Sequence, residues 1–184
     1  MLYDKDSFRA HYGEATDFLR RYRLPRWDDF PDLEIYMDQM IVLINRYLSD
    51  QETDRPVTAS MINNYVKMRL MPPPVRKKYG RAHLAYLVVI CSLKDALGMA
   101  VIEQMFPPGM EGDVLRERYD SFVENQIKAC HFVADSMDSV AVPLLDEEGS
   151  SKRIHDLIMQ VGATANITKA LAAKFANQKD PEDI

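Results

Sequence analysis

Two stretches decide how this chain is read: Thr58-Ala59-Ser60-Met61-Ile62-Asn63-Asn64-Tyr65-Val66-Lys67 and, just beyond it, Met71-Pro72-Pro73-Pro74-Val75-Arg76-Lys77-Lys78-Tyr79-Gly80. In the first, Thr58 has the side chain of a helix N-cap, with a hydroxyl that accepts a backbone N–H of the first turn. Met61, Ile62, Tyr65 and Val66 then fall on one side of a helix. Ser60, Asn63, Asn64 and Lys67 recur at i, i+3, i+4 and i+7, which places them on one polar face about 100° wide. In the second stretch three consecutive prolines exclude helix and hold the chain extended. The basic Arg76-Lys77-Lys78 follows, ending in Tyr79 and Gly80. A short helix with an amide-rich outer face, then a stiff basic excursion tipped by an aromatic ring, predicts a helix-turn-helix with a wing.

Outward from this pair the chain reads as helix throughout. Residues Arg81 to Leu97 are apolar nearly all round, which predicts a buried central helix, with His83 packed or capping at its start and Gly98 stopping it at the C′ position. Met99 to Phe106 follows as a short helix, and Pro107-Pro108-Gly109 marks a boundary. Upstream, Lys5 to Arg23 is an amphipathic helix ended by Leu24-Pro25. A connector to Pro31 carries Trp27 and Phe30, expected to pack back onto the body. Asp32 is the expected N-cap of a second helix running to about Leu48, with Met40, Leu43, Ile44 and Tyr47 in its stripe, and Ser49 to Pro56 is a loop. Downstream, Asp113 to about Val142 and Lys152 to Asn177 read as two long helices joined by a turn from Pro143 to Ser151. Apolar residues of the last helix, among them Ile154, Leu157, Ile158, Val161, Leu171 and Phe175, are expected inward. The fold class is therefore all-α: a winged helix-turn-helix-like domain over residues 1–108, with its core at 57–106, then a C-terminal helical pair over 109–184.

Composition bounds the function. A 47% apolar and 28% charged chain of 184 residues is that of a globular protein able to bury a core. The N-terminus lacks the apolar stretch of a signal peptide, and the apolar run Leu84 to Cys91 is far short of the about 20 residues of a membrane span, so a cytoplasmic location is expected. Net charge is −5, but it is unevenly spread. From Arg55 to Arg81 there are seven basic residues (Arg55, Lys67, Arg69, Arg76, Lys77, Lys78 and Arg81) and no acidic one. Phosphate contacts are local, so this segment bears on partners more than the total does.

No phosphate-cradling glycine loop, nucleophile elbow or metalloprotease motif occurs, and no catalytic residue, cofactor or metal is expected. Cys91 and Cys130 lack ligand spacing, and the four histidines are scattered. What remains is a recognition set. Asparagine can pair bidentately with adenine in the major groove, and Lys or Arg with guanine or phosphate. Asn63 and Asn64 are thus candidate base readers beside Ser60 and Lys67, and Arg76, Lys77 and Lys78 candidate phosphate contacts.

The segment Val57 to Phe106 resembles the N-terminal module of MerR-type regulators, in which a short recognition helix leads into a wing with a terminal tyrosine and then two helices. On that resemblance Asn63, Asn64 and Tyr65 stand at the family's Arg-Tyr-Tyr positions and Tyr79 at its wing tyrosine. Arg69 stands where that family has a glycine, and a proline-rich segment replaces its glycine-containing hairpin. A closer resemblance is to a bacterial family, the domain of unknown function 1836. It is carried by Leu24-Pro25-Arg26-Trp27, Tyr36-Met37-Asp38-Gln39, Met61 to Lys67, Lys77-Lys78-Tyr79 and His83-Leu84; this resemblance supplies a family without an activity.

Together these readings lead to the expectation of a sequence-specific DNA-binding transcriptional regulator, a homodimer whose partner is double-stranded DNA. Its expected contacts are Thr58, Ser60, Asn63, Asn64, Tyr65, Lys67, Arg69, Arg76, Lys77, Lys78, Tyr79 and Arg81. The competing expectation is a protein–protein adaptor that kept the winged scaffold and lost DNA binding.

Overall fold

A computed structural model describes residues 4–49, 56–146 and 151–176. The described residues form seven α-helices, so the all-α expectation holds. They are α1 (Lys5–Arg21), α2 (Met37–Tyr47), α3 (Ala59–Lys67), α4 (Arg81–Leu93), α5 (Met99–Met105), α6 (Gly112–Asp146) and α7 (Ser151–Ala176), with a 3₁₀ turn at Trp27–Asp29. Among the described residues, extended pairing is limited to two isolated antiparallel bridges, Ile35 with Tyr79 and Val75 with Lys78. Two compact units result. One comprises residues 24–124 with the last turn of α7 from Ala172; the other comprises α1, α6 from Asn125, and α7 as far as Leu171.

The first unit is built on α4. Leu84 through Cys91 are all buried, so this helix has no side free for water. It is covered by α2, through the fully buried Met40 and Ile44, and by α5, through Ile102, while α2 also supports α3. An aromatic cluster seats the connector on the start of α6: Phe30 lies 5.3 Å from Tyr119, with Trp27 edge-on to both rings. The Tyr119 hydroxyl donates to the Pro25 carbonyl at 2.7 Å, and the Trp27 backbone N–H donates to the Asp120 carboxylate at 2.9 Å. The expectation that Trp27 and Phe30 pack back is therefore met. In the second unit Asp138 of α6 accepts from the Tyr12 hydroxyl at 2.5 Å and is ion-paired with Arg20, which fastens α1 to α6.

Several boundaries differ from the sequence reading. Helix α2 starts at Met37 rather than after Asp32, because Ile35 exchanges both backbone hydrogen bonds with Tyr79 (2.8 Å each) and is held extended. Asp32 is exposed and faces Arg81. Helix α4 ends at Leu93, and Gly98, with φ −65°, is the N-cap of α5 rather than a left-handed C′ residue. Pro143 lies inside α6, not in a turn. The loop expected over Ser49 to Pro56 falls mostly outside the described residues. On α6, Leu115, Tyr119, Phe122, Val123, Ala134 and Ala141 are buried, whereas Val133 is exposed. Among the described side chains of α7 only Ile154 and Leu157 are buried; Ile158, Val161, Leu171 and Phe175 are exposed, against expectation.

The connector's seat on α6 yields a test. Tyr119→Phe leaves the Pro25 carbonyl without its buried donor and is expected to cost about 1–3 kcal/mol, while Tyr119→Ala removes a fully buried ring and costs about 3–5 kcal/mol. Urea denaturation checks both, and an unmoved midpoint for Tyr119→Phe would mean that this bond does not hold the connector.

Candidate nucleic-acid interface

Helix α3 begins at Thr58, whose Oγ1 accepts the Met61 N–H at 3.3 Å, as its sequence position implies. Its approach is fixed by a side chain that the sequence reading passed over. The Asn45 amide of α2 donates to the Val57 carbonyl at 3.0 Å and accepts the Val57 N–H at 2.7 Å, imitating a backbone bridge. Ile62 and Tyr65 anchor the inner face; Ser60, Asn63, Asn64 and Lys67 are all exposed on the outer one. The division of faces read from spacing is the one observed.

The helix ends in a Schellman motif. The Leu70 N–H donates to the Tyr65 carbonyl at 2.9 Å and the Arg69 N–H to the Val66 carbonyl at 3.1 Å, which places Arg69 at C′ with φ 59°. Leu70 and Met71 then dive into the core. After the prolines the chain makes a two-residue hairpin: Val75 and Lys78 exchange backbone hydrogen bonds of 3.1 and 2.9 Å, with Arg76 at φ 51° and Lys77 at φ 63° between them. Two left-handed central residues are the signature of a type I′ turn. The hairpin is tied to the body at both ends of its base, by the Ile35–Tyr79 bridge and by His83.

His83 packs and caps, as expected of it. Its Nδ1 accepts the Gly80 N–H at 3.0 Å, and Nε2 donates to the Pro73 carbonyl at 3.2 Å. One nitrogen accepting and the other donating is the arrangement of a neutral imidazole. Burial lowers its pKa below the usual histidine value, against smaller opposing influences from the Pro73 and Gly80 hydrogen bonds and from Glu34.

The expected contact residues separate into groups. Ser60, Asn63, Asn64 and Lys67 share one exposed face, and Thr58 is exposed at its cap. Arg69, Arg76 and Lys77 are exposed, and with Lys67 they have no ion pair among the described residues. Lys78 is engaged, 3.6 Å from the Glu34 carboxylate and 6.0 Å from the Tyr36 ring centre. Arg81 is engaged too: its Nε donates to the Phe30 carbonyl at 3.1 Å, and its guanidinium lies 3.8–3.9 Å from Asp32 and Asp28. Tyr65 and Tyr79 are corrections. Both are buried, Tyr65 with its pKa pushed up to about 12 by burial and Tyr79 edge-on to His83, so they serve the core and not the surface. Arg55 lies outside the described residues.

Other chemistry is sparse. Burial pushes the Cys91 thiol up to about 11, far from the thiolate form that reacts or binds metal. Among the described residues no group of three or more His, Cys, Asp or Glu is placed to hold a metal ion, and no helix is long and apolar enough to cross a membrane.

The family model for the domain of unknown function DUF1836 matches residues 25–123. That span is more than half of the chain, and the chain belongs to this family. The match coincides to within one residue at each end with the continuous part of the first compact unit, residues 24–124. No curated protein and no solved structure matches the chain.

The state of His83 makes stability depend on pH. With its folded pKa lowered beneath about 6.5, the unfolded chain binds the extra proton first. Its contribution is therefore complete above about pH 6.5, declines as pH falls beneath that value, and levels off once the folded protein is also protonated. Denaturation midpoints from pH 7.5 to 5 should show this decline in the wild type and a shallower one in His83→Asn; identical pH profiles would contradict the assignment.

Proposed function

We propose that this protein is a sequence-specific DNA-binding transcriptional regulator of the cytoplasm, which acts by binding and not by catalysis. Helix α3 lies in the major groove, and the Val75–Lys78 hairpin serves as the wing of a MerR-like winged helix-turn-helix. The observation that carries this reading is the outer face of α3: four exposed polar side chains, two of them Asn, on a helix whose opposite face is locked into the core. At 1.5 Å per residue its nine residues span about 14 Å, suited to a major groove about 12 Å wide. Asn63 and Asn64 offer the donor–acceptor pair that adenine presents, Lys67 reaches guanine or phosphate, and Ser60 and Thr58 serve either.

A single short helix buries too little surface for tight specific binding, so two copies act together on paired half-sites. The surface for pairing is α7. Its apolar stripe is buried at Ile154 and Leu157 and then runs on uncovered through Ile158, Val161 and Leu171. Ile154, Val161 and Thr168, and Leu157, Thr164 and Leu171, keep a seven-residue spacing that is apolar at all but the two threonines, close to the pattern of paired helices. Between Leu157 and Thr168 the residues flanking the seam, Ile158, Gln160, Ala165 and Ile167, are uncharged. Such flanks oppose no identical helix and attract no oppositely charged one, so the occupant is a second copy. Val161→Glu should convert the dimer to monomer in light scattering; a wild type that is monomeric at all concentrations would remove this part of the proposal.

The adaptor reading draws on the ion pairs that engage Lys78 and Arg81. Salt separates the two. Fluorescence anisotropy on a random duplex pool should show log affinity falling with log salt at about −0.9 per phosphate contact. Lys77→Ala should flatten that slope by about one contact, and Lys78→Ala by less, because Glu34 already shares its charge. Asn63→Ala and Asn64→Ala should leave the slope unchanged and lower discrimination between selected and random sites by about 1–3 kcal/mol per lost pairing. A folded protein that binds no duplex at low salt leaves the adaptor.

A further inference from the structure

Among the described residues, three that are not glycine have a left-handed backbone: Arg69, Arg76 and Lys77, at φ 59°, 51° and 63°. Only a few per cent of non-glycine residues adopt this conformation, and those that do are enriched in Asn, Asp and His. The Cβ of a long side chain crowds the following carbonyl there, and glycine avoids the crowding altogether. The two motifs concerned are the ones that most favour glycine or asparagine. Arg69 is the C′ residue of the Schellman motif, and Arg76 and Lys77 are the central pair of the type I′ turn. The sequence nevertheless places a basic side chain at each.

Turn geometry cannot account for that choice, since glycine would make the same turns with less strain. The side chains themselves point to another reason. All three are exposed and without an ion pair among the described residues, in a segment with no acid from Arg55 to Arg81. Lys78 and Arg81, from the same basic run, are different on both counts: neither has a positive φ, and both are paired with acids. Lys67, inside α3, has neither a positive φ nor an ion pair among the described residues. Beyond that helix, backbone conformation and ion pairing, which are independent properties, divide the basic residues at the same place.

We infer that Arg69, Arg76 and Lys77 are the contacts to the backbone phosphates of bound duplex, positioned by strained turns that are tolerated for the sake of the charge, while Lys78 and Arg81 belong to the fold. This rests on the DNA-binding reading and adds to it which cations meet phosphate. Strain of this kind persists only where the surroundings over-determine it. Here the buried Leu70 and Met71, the Ile35–Tyr79 bridge and His83 hold the chain on either side.

The test is a set of substitutions that stabilise the fold while weakening its function: Arg69→Gly, Arg76→Asn and Lys77→Gly, with Arg69→Lys to restore the charge. Each glycine or asparagine variant should raise Tm, by about 2–4 °C for a chain of this size. Each should also lower affinity for random duplex and flatten the log–log salt slope by about one contact, leaving sequence preference unchanged. Arg69→Lys should keep the wild-type slope. Variants that gain stability and bind with the wild-type slope would overturn the phosphate assignment while leaving DNA binding intact. Variants that lose stability would overturn the strain argument, because the side chains would then be packing residues. A wild type that binds no duplex would overturn the DNA reading and this inference with it.

Discussion

Helix α4 has no polar side to present to water, and the unit from residue 24 to 124 is organised by the need to cover it. From Leu84 to Cys91 every residue is buried, including positions that an amphipathic helix would leave outside. α2 and α5 pack on it directly, and the connector with Trp27 and Phe30 closes over the start of α6. With α2 committed to α4, α3 is held largely from α2, through the Asn45–Val57 clamp, and by its own Ile62 and Tyr65. Its other face is left free. The exposure of Asn63 and Asn64 is thus a consequence of how the hydrophobic demand of α4 is met several residues away.

The hairpin after α3 depends on the same body. Three prolines limit the conformations of residues 72–74, and His83, at the N-terminal end of α4, grips both the Pro73 carbonyl and the Gly80 N–H. The buried Tyr79 is a hinge pin rather than a tip, paired to Ile35 through backbone and to His83 through its ring. A basic two-residue turn is thereby presented from a base fastened at separate points, which is why left-handed Arg and Lys can be sustained there.

Local patterns were legible in the sequence. The Thr58 cap, the two faces of α3 and the all-round apolar character of α4 follow from helical period and side-chain chemistry, and the structure shows each. What could not be read depends on contacts distant in sequence. Nothing local in Asp32 to Tyr36 says that Ile35 will pair with Tyr79 and delay α2, and nothing in Asn45 says that its amide will clamp Val57. The resemblance to MerR-type recognition helices and wings places Tyr65 and Tyr79 at the surface, whereas burial places them in the core. The α7 stripe was expected inward because its period is that of a packed helix; the period is real, but from Ile158 onward one chain does not cover it.

The central claim is that the outer face of α3 and the strained basic turns meet DNA together. Titrating labelled protein with duplex, and following the side-chain amide signals of Asn63 and Asn64 and the backbone amides of Arg69, Arg76 and Lys77 by NMR, tests it most directly. These signals should shift in concert, with Lys78 and Arg81 less affected and the α7 seam unperturbed. Shifts confined to other surfaces, or none at protein and duplex concentrations that saturate binding by anisotropy, would contradict the claim.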